Sequence, residues 1–199
     1  MSDPLRAYWD FDDLDATEAR FRDLRAEVLT QLARVQGLRE DYESGERLLD
    51  EVTEQSPRVR IRVDLERGRL RRSAGDKAAA LPFFERAFAA AVTAGEAWLA
   101  GDAAHMAALA APDRDAFAAW TDRGLELARG SEVAAYWEGP LLNNLGWEHF
   151  EAEEYERALE LFEQALAVRE RDPGNAAAIE HAREAVADAR KALGRDREG

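Results

Sequence analysis

The chain has 199 residues, 34% of them charged, and a formal net charge of −14 at pH 7, so nothing draws it as a whole toward nucleic acid or an anionic membrane. With 46% apolar residues and a mean hydropathy of −0.51 it can bury a core in water, and its longest apolar runs, about seven residues, fall far short of the roughly 20 that cross a bilayer. The absence of cysteine excludes disulfides and thiol chemistry, and two lysines, Lys77 and Lys191, beside 25 arginines point to a GC-rich bacterial genome.

Residues 1–14, MSDPLRAYWDFDDL, form an acidic, aromatic segment with no apolar stretch of the kind that directs export, so a cytoplasmic location is expected. DFDDLD, residues 10–15, places Asp15 where a calcium loop needs glycine, and reads instead as a solvated, helix-capping run. Trp9 is positioned to anchor the segment against the first helical unit. Asp15 followed by Glu18 resembles a capping box, and residues 15 to about 39 read as one long helix or two.

From there apolar and small residues recur at helical spacing with almost no strand signal. LERGRLRRSAGDKAAALPFFERAF lines up with LNNLGWEHFEAEEYERALELFEQAL so that Gly68 falls on Gly146, Ala80 on Ala158, Phe84 on Phe162 and Ala87 on Ala165. A weaker copy puts Ala104, Ala116 and Trp120 on this frame, with Arg123 breaking the final small position. An earlier one gives Leu32, Ala33, Tyr42, Gly45, Leu49 and Val52. The intervals from Gly45 to Ala80, Ala116 and Ala158 are 35, 36 and 42 residues, which places a short insertion before the last unit. The units span about 26–59, 61–94, 97–130 and 139–173. Pro4, Pro57, Pro112, Pro140 and Pro173 sit at expected helix edges, Pro82 should kink or delay its helix, and Gly95, Gly130 and Gly174 stand where a left-handed C′ residue is wanted. Residues 174–193 form a closing helix, with Ile179, Ala182, Val186 and Leu193 on one face and Glu180, Arg183, Glu184, Asp188 and Arg190 on the other, before a tail at 194–199.

The Leu-Gly pair, the aromatic near the turn and the later Ala, Phe, Ala and Pro resemble tetratricopeptide repeats, most closely in the last unit, which departs at His149 and at Glu153. The resemblance implies an all-α, right-handed superhelical solenoid of antiparallel helix pairs, about nine or ten helices, with small residues letting paired helices touch. It implies a non-catalytic protein-interaction module of the adaptor, chaperone or assembly kind.

Catalytic signals are poor. His105, His149 and His181 are far apart, and neither a metalloprotease motif nor a phosphate loop occurs, so no catalytic group, cofactor or metal is expected. His149 reads as a packing residue, as do Trp98, Trp120 and Trp137. The distinctive stretch is RVRIRVDLERGRLRR, residues 58–72, whose seven arginines against Asp64 and Glu66 give a local charge of +5. On the side of this helix away from Gly68 lie Arg62, Arg69 and Arg72. The same frame adds Arg34, His105, Asn143, Asn144 and Trp147, the last expected to face the groove rather than its partner helix. Guanidinium groups would take carboxylates and the amides an extended backbone, so the partner is read as an acidic peptide or a free C-terminal carboxylate. Two other readings stand beside this one. The arginines can be neutralised internally by residues such as Glu40, Asp41, Glu43 and Glu46, or they can bind an anionic ligand such as nucleic acid or a nucleotide, against which the overall charge argues. An exposed end or face of the array leaves room for self-association.

Overall fold

The structure is a computed structural model that describes residues 4–172 and 174–196. Among these residues the chain is all-α: helices α1 (Leu14–Leu38), α2 (Tyr42–Asp50), α3 (Pro57–Ser73), α4 (Lys77–Ala94), α5 (Ala97–Ala110), α6 (Arg114–Gly130), α7 (Glu138–Glu151), α8 (Tyr155–Arg169) and α9 (Ala176–Asp196). Short 3-10 segments lie at Arg6–Tyr8 and Glu132–Trp137. No described helix is long and apolar enough to cross a membrane. Packing divides the chain into two compact units, up to Leu99 and from Ala100 onward.

In the first unit α1 pairs with α2 and α3 with α4. The α1–α2 turn carries Glu40 at φ 64°, and the α3–α4 turn carries Gly75 at φ 88°. In each, the following aspartate reaches back five residues, Asp41 N–H to Gln36 C=O (3.0 Å) and Asp76 N–H to Arg71 C=O (2.9 Å). This is a Schellman closure of the first helix. The same aspartates then cap the second helix, Asp41 accepting from Ser44 N–H and Asp76 from Ala79 N–H. One residue thus ends one helix and starts the next, which fixes the hairpin angle. Close contact results from missing side chains: a Cβ on Gly68 would meet the Phe84 ring at 2.4 Å, with Phe84, Ala80 and Ala87 fully buried. In α1–α2 the roles are redistributed, and Leu70 of α3 fills the space left by Gly37 and Gly45 over a cluster of Ala33 and Leu49. Leu32, on the expected frame, is 44% exposed.

The second unit repeats the scheme. Gly146 admits Phe162, an added Cβ coming within 2.5 Å of its ring, and Glu153 takes φ 62° in the α7–α8 turn, where Glu154 N–H reaches His149 C=O (2.9 Å). α9 covers α8, burying Ala185, Val186 and Ala189 against Ala158 and Phe162. In α5–α6 the small position expected at Arg123 is met one residue later. Gly124 lies against Ala104, and Arg123 stacks over Trp120 (4.5 Å).

Several expectations shift by a residue or a role. The cap of α1 is Asp13, which accepts from Ala16 N–H, rather than Asp15, and α1 is one helix. Pro82 neither delays nor ends α4, which starts five residues earlier at Lys77 with Asp76 as its cap. Gly95 is left-handed at φ 71°, but Gly130 is the last residue of α6, Gly174 has no positive φ, and the unforeseen left-handed glycine is Gly75. Pro173 lies outside the described residues.

Candidate functional site

The arginine-rich helix α3 begins with Ser56 as cap and Pro57 in its first turn. Its placement between α1, α2 and α4 sorts the seven arginines by face. Toward α1, Glu66 is the hub. Only 2% exposed, it accepts from Arg34 through Nε (3.1 Å to either oxygen) and Nη2 (2.6 Å), and from Arg69 Nη1 (2.9 Å). A carboxylate this buried is tolerable because two guanidinium groups surround it. Arg58 joins Glu27 (3.0 Å) and Glu96 (2.6 Å), and Arg62 stands 3.4 Å from Glu27. Toward α2, Arg67 pairs with Asp50 (2.5 Å) and Glu46 (3.6 Å), and Arg71 with Glu46 (3.1 Å).

Two arginines of α3 have no acidic partner among the described residues. Arg60 is exposed. Arg72 is half-buried, its Nε makes no hydrogen bond, and burial pushes its guanidinium below the usual arginine range. The internal-pairing expectation therefore describes Arg34, Arg62 and Arg69, and among all the pairs of Arg34 and the α3 arginines Glu46 is the one expected acid, with Glu27, Asp50, Glu66 and Glu96 the ones not foreseen. By sequence Glu66 counts only as one negative charge in a basic helix. Its position two residues before Gly68, on the buried side of α3, was the signal that it carries a network.

In the second unit His105 of α5 and Asn144 of α7 meet, the Asn144 amide lying 2.9 Å from His105 Nε2. The His105 ring also lies against Trp137 (5.4 Å). Asn143, half-exposed, has no partner among the described residues. Trp147 differs from expectation. Its ring packs 5.0 Å from Phe162 on the partner helix and 5.1 Å from Phe150, because Gly146 leaves a gap that one aromatic fills and the next covers. Trp98 is 40% exposed rather than packed away, while Trp120 is buried.

His149 also differs. It binds Glu154 through Nδ1 and lies 3.1 Å from Arg114, which holds Glu154 at 2.7 and 3.3 Å. Glu154 replaces the capping aspartate of the other turns, and its longer side chain reaches across to α6 instead of capping α8. Arg114 first, then His149, hold the Glu154 carboxyl down at about 2 from an ordinary 4.5, and the bond to Glu154 raises Arg114.

Three helix pairs, α1–α2, α3–α4 and α7–α8, closed by one kind of turn, with Phe84 and Phe162 each entering a glycine gap, define a helical-hairpin repeat protein. The repeat is of the tetratricopeptide type: residues 141–171 match the family model described as tetratricopeptide repeat, and α3–α4 reproduces the contacts of that hairpin. No curated protein and no solved structure matches the chain significantly.

Proposed function

We propose that this chain is a cytoplasmic protein-interaction module that captures an acidic peptide segment of a partner on the α1–α3 face, where Arg72 offers the contacting charge. The observation that carries this reading is the half-buried Arg72 guanidinium with no described carboxylate beside it, in a helix whose other inward arginines are paired. A partly desolvated cation gains from a carboxylate that arrives with the ligand. Arg34, Arg62 and Arg69, bound to Glu66 and Glu27, keep that face rigid and add positive potential. In the second unit Asn143 offers an amide to an extended backbone, and Asn144 is held in place by His105. The tetratricopeptide match supports binding of protein rather than catalysis.

The test compares capture of partners from a lysate by the native protein, Arg72→Gln and Arg60→Gln. Because neither arginine holds an ion pair among the described residues, both variants keep the fold. A partner retained by the native chain and by Arg60→Gln but lost by Arg72→Gln supports the proposal. Equal retention by all three removes Arg72 from recognition, and a steep loss of binding with salt would turn the reading toward a phosphate-bearing ligand.

A further inference from the structure

The 42-residue interval before the last hairpin has a structural product. The insertion, Ser131 and the 3-10 segment Glu132–Trp137, lays Trp137 over Gly101, whose added Cβ would come within 2.3 Å of the indole. With Trp137 fixed there, Tyr136 and Ala135 line a cavity of about 240 Å³ whose other walls are the end of α8 and the start of α9. Pro140, Val168 and Ala178 make much of its surface apolar.

One charge in this wall is uncompensated. Arg169 is half-buried, its stem packed so closely on α7 that a Cβ on Gly139 would meet its Cγ at 3.1 Å. Its Nη1 donates to Ala178 C=O (2.6 Å), and it has no carboxylate partner among the described residues. The nearby acids are otherwise engaged: Glu138 is held by Arg129 (2.8 Å) with Arg171 at 3.9 Å, and Asp172 accepts from Gly174 N–H (3.1 Å). Asn175 accepts from Ala178 N–H through its oxygen (3.2 Å), which leaves its NH2 without a described partner. Burial pushes the Arg169 guanidinium down, opposed by Tyr136. The wall thus carries Arg169, Arg171 and Asp172, one net positive charge, around a volume below the roughly 300–1,000 Å³ of drug-sized sites.

We infer that this cavity binds a small monocarboxylate with an apolar body, its carboxylate on the Arg169 guanidinium and the Asn175 amide and its body against Val168, Pro140 and Ala135. A doubly charged phosphate fits less well, because a single half-buried guanidinium faces it and Asp172 lines the same cavity.

The experiment titrates the full-length ¹⁵N-labelled chain with hexanoate, with the neutral isostere hexanamide and with inorganic phosphate. The expected result is saturable shifts confined to Tyr136 and residues near Val168–Ala178 with hexanoate, and binding of hexanamide and phosphate weaker by about tenfold or more. Arg169→Gln should weaken hexanoate by about tenfold or more, and Arg171→Gln by less than about threefold. Since Arg169→Gln also loses the bond to Ala178, Ala178→Leu, which fills the cavity and keeps Arg169, is the second variant and should abolish binding with the helical circular dichroism unchanged. Equal binding of hexanoate and hexanamide, tighter binding of phosphate, shifts elsewhere in the chain, or no saturable hexanoate binding would each overturn the inference.

Discussion

Gly68 and Gly146 lack side chains because a phenyl ring occupies that space, and the two Cβ positions lie 2.4 and 2.5 Å from Phe84 and Phe162. Either glycine changed to alanine should lower stability by about 1–3 kcal/mol in chemical denaturation, since ring and helix must separate. The turn residues respond in the other direction. Glu40 and Glu153 hold φ near +60°, a conformation that costs a side-chain-bearing residue about 1–2 kcal/mol, where the α3–α4 turn has Gly75. Glu153→Gly should therefore raise the unfolding free energy by about 0.5–1 kcal/mol after the greater chain entropy of glycine is subtracted. Both features are local, and both were legible: the Gly–Phe pairs from their equal spacing in two units, and Glu153 as a departure from the pattern.

Between elements, charge decides more than propensity. Glu66 of α3, 2% exposed, joins α1 through Arg34 and is also held by Arg69 of its own helix. Glu66→Ala should cost about 3 kcal/mol because it leaves two guanidinium groups facing an uncharged wall, whereas Glu66→Leu combined with Arg34→Met should cost less than that single change. Equilibrium unfolding of the three proteins checks the order. At the other hairpin, Glu154 has its carboxyl lowered to about 2 by Arg114 and His149. A carboxyl lowered on folding stabilises the folded state fully above its ordinary 4.5 and loses that contribution as pH falls from there toward 2. The melting temperature of Glu154→Gln should accordingly fall less steeply than that of the native chain across this window. Beyond the buried position of Glu66 near Gly68, neither network was legible, because the acids Glu27, Asp50 and Glu66 that take up the arginines are separated from several of them by tens of residues, and helical periodicity reports a face but not which neighbour covers it.

For the whole molecule, repeats of this kind cannot bury their apolar faces alone and each is stabilised by the next. α9 ends that series for α8, burying Val186, Ala185 and Ala189 over Phe162 while Glu180, Glu184 and Asp188 stay in water. A chain ended after Asp172 should lose at least about 3 kcal/mol and associate on size-exclusion chromatography, as exposure of the Phe162 cluster requires. Changing Glu180 and Asp188 to alanine in the full chain should alter stability by less than about 0.5 kcal/mol.

The sequence by itself determined the all-α class and the tetratricopeptide-type hairpin, because each depends on spacing within some forty residues and on side-chain size. Only the tertiary structure decided which arginines are spent on Glu27, Asp50 and Glu66, that Arg72 and Arg169 are left half-buried without an acid among the described residues, that Trp147 packs against Phe162, and that the insertion lines a cavity. Those outcomes depend on which helices lie side by side and how far a side chain reaches across the gap, and a period of three and four residues carries no such distance.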